Sequence, residues 1–390
     1  MPSEDIKDKV SLLGGMAKIL RTFLTRRVTM QVDQIPYVFT HVPYGKLMNW
    51  ALVESAARLR PARAWGMPTH LQLEPAGICN LKCVLCPVTD GMNRGGGIMP
   101  VGLFQQLIRE IGDHLFLISM WDWGEPFMNP HLCEMIESAK EKNIKVVVST
   151  NGHLLADPEL AERLVYSGLD TLIVAIDGIS QQTYEQYRGK GRLGEALAGL
   201  KAVVQAKRKL GRRHPLINFR FIAMRHNEHE IPKLNNFARE TGADVLTIKT
   251  LNTSSNDTYG DHAIQLSERD ELFQPQDIRY RRFAVAPGSS VRARRAWNPC
   301  KNLWNAPTVH WDGTVCPCTY DYDERFVLGR LTEQPFVEIW NGPDYRKMRR
   351  DFKRQCIHFC RECSYAFTGG DCWNETVKEA FFFNLDTIAV

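Results

Sequence analysis

No run of eighteen consecutive apolar residues occurs in the 390-residue chain, so no membrane-spanning helix is expected. The opening residues Ser3-Glu4-Asp5 carry no apolar signal-peptide core, and a cytoplasmic location is expected. An excess of one charge is nearly absent, since 49 Lys and Arg against 44 Asp and Glu leave a net +5, too small and uneven for a nucleic-acid binder. Disulfides are not expected either: without an export signal, eleven cysteines of which all but Cys133 fall in two groups read as metal ligands in a reducing compartment. Hydrophobic content of 44% and charged content of 24% are those of an ordinary globular protein.

The first group is Cys79-Asn80-Leu81-Lys82-Cys83-Val84-Leu85-Cys86. Thiolates select iron-sulfur clusters, zinc or copper(I). A structural zinc site closes a tetrahedron with four protein ligands, yet downstream no His follows before His114 and no Cys before Cys133. Three thiolates suit three corners of an iron-sulfur cube whose fourth iron stays open.

Before this group, residues 4–27 space Ile6, Val10, Leu13, Met16 and Leu20 as an amphipathic helix with Lys7, Lys18, Arg21 and Arg26 between them, interrupted by Gly14-Gly15. Such a helix docks on the body of the protein or contacts an anionic membrane surface. A second helix is expected at Leu47–Leu59, making residues 1–66 a helical extension. From 67 to 251, short apolar runs alternate with helical patterns. The expected strands are His70–Glu74, Leu115–Trp121, Lys145–Ser149, Thr171–Ile176, Ile217–Met224 and Val245–Thr250. The expected helices are Val101–Ile111, His131–Lys142, Pro158–Ser167, Leu193–Leu210 and Ile231–Thr241. Alternation of this kind predicts right-handed βαβ units around a parallel sheet, with ligands at the C-terminal strand ends.

Several polar groups fall at those ends. Ser149-Thr150-Asn151-Gly152 offers hydroxyl and amide groups for a ribose or carboxylate. His226-Asn227-Glu228-His229-Glu230 has no His-Glu-x-x-His order and reads as a helix cap at Asn227. Residues 252–297 form a linker rich in Arg279, Arg281, Arg282, Arg292, Arg294 and Arg295, read as a solvated charged loop. Residues 298–375 hold the second cysteine group (Cys300, Cys316, Cys318, Cys356, Cys360, Cys363 and Cys372) and a hairpin signal at Asp312-Gly313, before a tail at 376–390.

Cys-x3-Cys-x2-Cys after a first strand resembles the signature of the radical S-adenosylmethionine (radical SAM) superfamily. Gly124-Glu125-Pro126 resembles that family's Gly-Gly-Glu-Pro segment, with Trp123 in place of the first glycine, and the Thr150-Asn151-Gly152 turn is similar to the family's third-strand turn. The arrangement Cys300-x12-Gly313-x4-Cys318 with Cys360-x2-Cys363 resembles the SPASM extension of these enzymes. The resemblance implies an α/β fold: a partial (β/α)6 TIM-like barrel, with the N-terminal helical extension and a small C-terminal cysteine-rich SPASM-like domain.

It also implies a four-iron four-sulfur cluster on Cys79, Cys83 and Cys86, whose open iron receives S-adenosylmethionine. The cofactor's ammonium would meet Gly124 and Glu125, its carboxylate Arg188, and its ribose Asp177, with Ser149 and Asn151 nearby. One auxiliary four-iron cluster would sit on Cys300, Cys318, Cys360 and Cys363, although zinc suits four thiolates equally. Such an enzyme cleaves its cofactor to a deoxyadenosyl radical with electrons from a flavodoxin or ferredoxin. With no strand pattern for peptide recognition in residues 1–66, a saccharide, nucleoside or lipid-linked substrate is expected. The alternatives are a peptide-modifying maturase and, from another class, a non-catalytic iron-sulfur protein.

Overall fold

The computed structural model describes residues 17–252, 268–282, 300–361, 363 and 376–384. Cys372, Arg292, Arg294, Arg295 and the first part of the N-terminal helix lie outside them.

Six parallel strands form the centre: β3 (His70–Leu73), β4 (Leu117–Met120), β5 (Lys145–Thr150), β6 (Thr171–Ala175), β7 (Leu216–Ala223) and β8 (Val245–Thr250), side by side in that order. Their outward side chains are aliphatic and pack under the connecting helices, as the Val146, Val148, Leu172 and Val174 rows show. This is the mixed, mostly parallel α/β architecture that the alternating pattern predicts. The helices at Val101–Ile111 and Ile231–Thr241 and the strand at Val245–Thr250 have the predicted bounds, and the other elements shift by at most a few residues.

Two expectations fail at the ends of the chain. Residues 1–66 are not purely helical: besides a helix over 17–25 and another at Tyr44–Leu59, they contain an antiparallel hairpin of β1 (Val28–Val32) and β2 (Ile35–Phe39). Val32, Ile35 and Tyr37 cover the lower part of the barrel interior against Leu117, Val147, Ile173, Leu216 and Val245. The hairpin thus closes the mouth opposite the predicted site. Its two turn residues, Asp33 and Gln34, have φ of 53° and 62°. The C-terminal stretch is likewise no tail, because β12 (Val377–Phe382) pairs antiparallel with β8.

The C-terminal cysteine-rich region continues the same sheet. β9 (Thr308–Val309) runs parallel to β3, and β10 (Thr314–Cys316) and β11 (Gly329–Arg330) extend the edge. Its core is aromatic: Trp304, Phe336, Trp340 and Tyr345 are buried around Arg349, whose guanidinium lies 4.5 Å from the Trp340 ring centre and donates to the Leu303 and Trp340 carbonyls. Among the described residues no helix is long and apolar enough to cross a membrane.

Candidate functional site

β3 ends at Leu73, and the chain then runs through Glu74, Gly77 and Ile78 into the three-cysteine loop. Two contacts fix this loop: Glu125 N–H donates to the Ile78 carbonyl (2.8 Å), and Val84 N–H donates to the Tyr187 carbonyl (2.9 Å). The backbone is drawn in so tightly that a Cβ at Gly124, where φ is +135°, would overlap the Ala76 carbonyl oxygen. At Gly189 it would overlap the Lys82 carbonyl oxygen. Glycine at both positions is therefore required by close approach, not only by turn geometry.

The thiols lie close enough that Cys83 adds to the proton affinity of Cys79, and Cys83 and Cys79 to that of Cys86. Burial, opposed by the Leu81 N–H, pushes Cys79 up to about 11, and burial and then Cys83 push Cys86 up to about 12. Thiols in this state give up their protons on binding metal. The Cys83 sulfur lies 3.7 Å from Arg188 Nη1.

The other predicted residues gather around the loop. Glu125 is buried and accepts from Thr150 Oγ1 (2.7 Å), Asn151 N–H (2.8 Å) and Phe127 N–H (3.2 Å). Burial raises its proton affinity, and those bonds together with Arg188 oppose the rise. Asn151 Nδ2 donates to Asn80 Oδ1 (2.7 Å), tying the third strand end to the cysteine loop. Arg188 Nη2 lies 2.5 Å from Asp177 Oδ2, an ion pair too poorly aligned to be a hydrogen bond. Despite burial, Asp177 and then Cys83 hold the Arg188 guanidinium firmly charged. Among the described residues Arg188 Nε and the Tyr184 hydroxyl are buried beside this pair without a hydrogen bond.

Three placements differ from the sequence reading. Ser149 does not face the loop: it points into the barrel, where its hydroxyl accepts from Arg220 (3.3 Å), because alternate strand residues face opposite sides. Asn227 stands at the N-cap position of the turn Glu228–Glu230, but its side chain does not cap it. It accepts from Met224 N–H and donates to the Asp177 and Ile222 carbonyls, clamping β6 to β7, while Glu230 accepts from Ile179 N–H. Of the linker arginines, Arg282 donates to the Tyr320 hydroxyl instead of standing in solvent, whereas Arg279 is exposed, as a solvated loop requires, and pairs with Asp277.

In the C-terminal region Cys318 is half-buried beside Cys300, Cys360 and Cys363, which add to the rise in its proton affinity that desolvation causes. Cys316 is fully buried but turns to His310 Nδ1 (3.9 Å), and Cys356 is exposed. Among the described residues no three His, Cys, Asp or Glu converge tightly enough for a single metal ion.

Both cluster regions have counterparts among known proteins. Residues 73–237 match the model of the radical SAM superfamily, and residues 300–364 match that of an iron-sulfur cluster-binding domain, SPASM. The chain is 24% identical over 332 residues to a tungsten-containing aldehyde ferredoxin oxidoreductase cofactor-modifying protein of Pyrococcus furiosus, covering 78% of this chain and 91% of the relative. It is 26% identical over 310 residues to the mycofactocin maturase MftC of Mycobacterium ulcerans, covering 76% and 80%. Among solved structures, Streptococcus suis SuiB bound to S-adenosylmethionine superposes with a TM-score of 0.58 at 14% identity, over 92% of this chain and 82% of that one. The chain belongs to the radical SAM superfamily and is an enzyme of its SPASM-bearing branch, with S-adenosylmethionine and iron-sulfur clusters as its cofactors.

Proposed function

We propose that Cys79, Cys83 and Cys86 hold the cluster that binds S-adenosylmethionine, and that Cys300, Cys318, Cys360 and Cys363 hold one auxiliary cluster. The observation that carries this reading is the buried Asp177–Arg188 pair beside the cysteine loop, with Arg188 Nε and the Tyr184 hydroxyl still unbonded among the described residues. Arg188 presents a carboxylate-binding fork. Glu125 keeps acceptor capacity for an ammonium after serving three chain donors. Asn151 and Asp177 would receive the ribose; Ser149 would act from below through Arg220. When bound, the cluster supplies the electron that splits the cofactor into methionine and a deoxyadenosyl radical, which takes a hydrogen atom from the substrate. The electron comes from a flavodoxin or ferredoxin in a reducing, cytoplasmic setting.

For the substrate, two readings stand on equal footing. A saccharide, nucleoside or lipid-linked molecule agrees with an N-terminal hairpin that is spent on closing the barrel. A peptide agrees with relatives that include MftC and the subtilosin biosynthesis protein AlbA of Bacillus subtilis, and the presence of strands β1 and β2 removes the sequence argument against it.

Anaerobically reconstituted protein given dithionite and S-adenosylmethionine should release deoxyadenosine; intact cofactor after incubation with fully loaded protein would refute the reading. Changing Cys79, Cys83 and Cys86 to Ala should remove one cube's iron and sulfide and leave the other. Deuterium appearing in deoxyadenosine from the peptide or the small-molecule fraction of a deuterated extract separates the two substrates.

A further inference from the structure

The family's first glycine is replaced by Trp123, and the structure shows what the indole does. Trp123 Nε1 donates to the Thr319 carbonyl (2.7 Å), and its ring meets Tyr322 edge-on at 5.3 Å. Both partners belong to the loop that follows Cys318 in the C-terminal domain. The neighbouring Asp122 is seized by the same domain: the Thr319 hydroxyl donates to Asp122 Oδ1, and Asp122 Oδ2 lies 3.6 Å from His310 Nε2. Among the described residues neither of those last two buried atoms has a hydrogen bond, and they face each other at ion-pair distance. On its other side His310 Nδ1 meets Glu324 at 3.1 Å. His310 is fully buried, and although burial opposes its charge, Asp122, Cys316 and Glu324 keep it cationic.

The same loop has a second grip. Arg94, in the glycine-rich stretch after the cysteine loop, donates to the Tyr322 carbonyl (2.5 Å) and makes a two-pronged pair with Glu74 (2.8 and 2.5 Å) at the end of β3. Asn93 is bonded to Asp323 (3.0 and 3.3 Å). A five-residue stretch, Thr319 to Asp323, therefore touches the chain on both sides of the predicted cofactor: the turn leading into Gly124-Glu125 and the segment leaving Cys86.

We propose that His310, Asp122 and Trp123 form a positioning device through which the auxiliary-cluster domain sets the affinity of the site for S-adenosylmethionine. The inference rests on the assignment of Gly124 and Glu125 to cofactor binding made above. None of the three touches the cofactor; they fix the backbone that leads into Gly124 and Glu125. Groups that orient ligating residues typically change affinity 10- to 100-fold when removed, and a misplacement of about 1 Å has an effect of similar size.

The test uses holoenzyme with both clusters loaded. Trp123→Phe removes the indole donor but keeps the ring on Tyr322; His310→Gln removes the cation facing Asp122. Each should weaken equilibrium binding of S-adenosylmethionine about tenfold and raise its KM alike. Iron and sulfide content, the spectrum of the reduced auxiliary cluster and kcat should stay within about twofold. The double variant should lose less than the product of the two, since both act through one loop. Unchanged cofactor affinity in Trp123→Phe overturns the proposal, as does a His310→Gln protein that loses auxiliary-cluster iron yet binds the cofactor normally. Should His310→Gln fail to fold, Trp123→Phe decides alone. Wild-type holoenzyme that does not bind S-adenosylmethionine would instead sink the cofactor-site assignment, and this inference with it.

Discussion

The hairpin that closes the barrel offers a sharp test of what the N-terminal extension contributes. Asp33 is fully buried at its turn, paired with Arg220 and, at 2.7 Å, with Lys249; those two side chains are only 10% and 14% exposed. Asp33→Asn is the informative change, because asparagine tolerates the left-handed backbone at this position and keeps the shape. It removes only the charge, leaving two cations facing each other inside the barrel. Removing one partner of a buried pair costs about 3–5 kcal/mol. Asparagine still accepts one hydrogen bond, so the lower end, about 3 kcal/mol, is expected. That corresponds to roughly a hundredfold. Amide hydrogen exchange over Val28–Phe39 is the assay, since local opening of the hairpin can be read without global unfolding. The amides of β1 and β2 should exchange about a hundredfold faster, and a second change, Lys249→Met, should recover part of the loss by removing one stranded cation. Burial would raise the Asp33 carboxyl, but Arg220 and Lys249 overcome it and hold it below the ordinary carboxylate range. Its stabilisation is therefore full above about pH 4 and lost as acid protonates it below that. Asp33→Asn should lack this acid-side loss. Exchange rates within threefold of wild type would refute the idea that the charge triad holds the plug.

Two other outcomes check the cluster sites. Gly124→Ala adds a Cβ against the Ala76 carbonyl oxygen at a φ of +135°, so cofactor binding should fall a hundredfold or more while auxiliary-cluster iron is retained; equilibrium binding and iron assay read the two separately. Cys316→Ala should keep the iron and sulfide content of both clusters, because that thiol faces His310 and not Cys318; loss of one cube's iron would make Cys316 a ligand.

What was legible in the sequence follows from how local each signal is. The six parallel strands are short apolar runs flanked by helical periodicity, and the period-2 and period-3.6 patterns separate without tertiary information. The hairpin at 28–39 carries the same alternation in Val28, Met30 and Val32, then Ile35, Tyr37 and Phe39. Its turn is Asp33-Gln34, without the glycine that marks a two-residue hairpin, and Pro36 lowers the strand signal further. β12 was unreadable for another reason: it exists only by pairing with β8, more than 120 residues earlier.

At the site, residue type was readable and side-chain direction only partly. Ser149 and Thr150 are adjacent hydroxyls at the same strand end, yet one bonds Arg220 in the barrel and the other Glu125 at the cysteine loop. Strand alternation decides between them, and one residue of register reverses the answer. Asp177 and Arg188 each look like a separate ligand-binding residue in sequence, whereas the fold makes them one ion pair. A cofactor carboxylate approaching Arg188 would therefore meet a guanidinium already paired through Nη2 with Asp177. Arg188 Nε is buried and without a hydrogen bond among the described residues, and Trp123 is a comparable case of a role that only the fold supplies: it departs from the family pattern, and its indole donates to Thr319 in the C-terminal region.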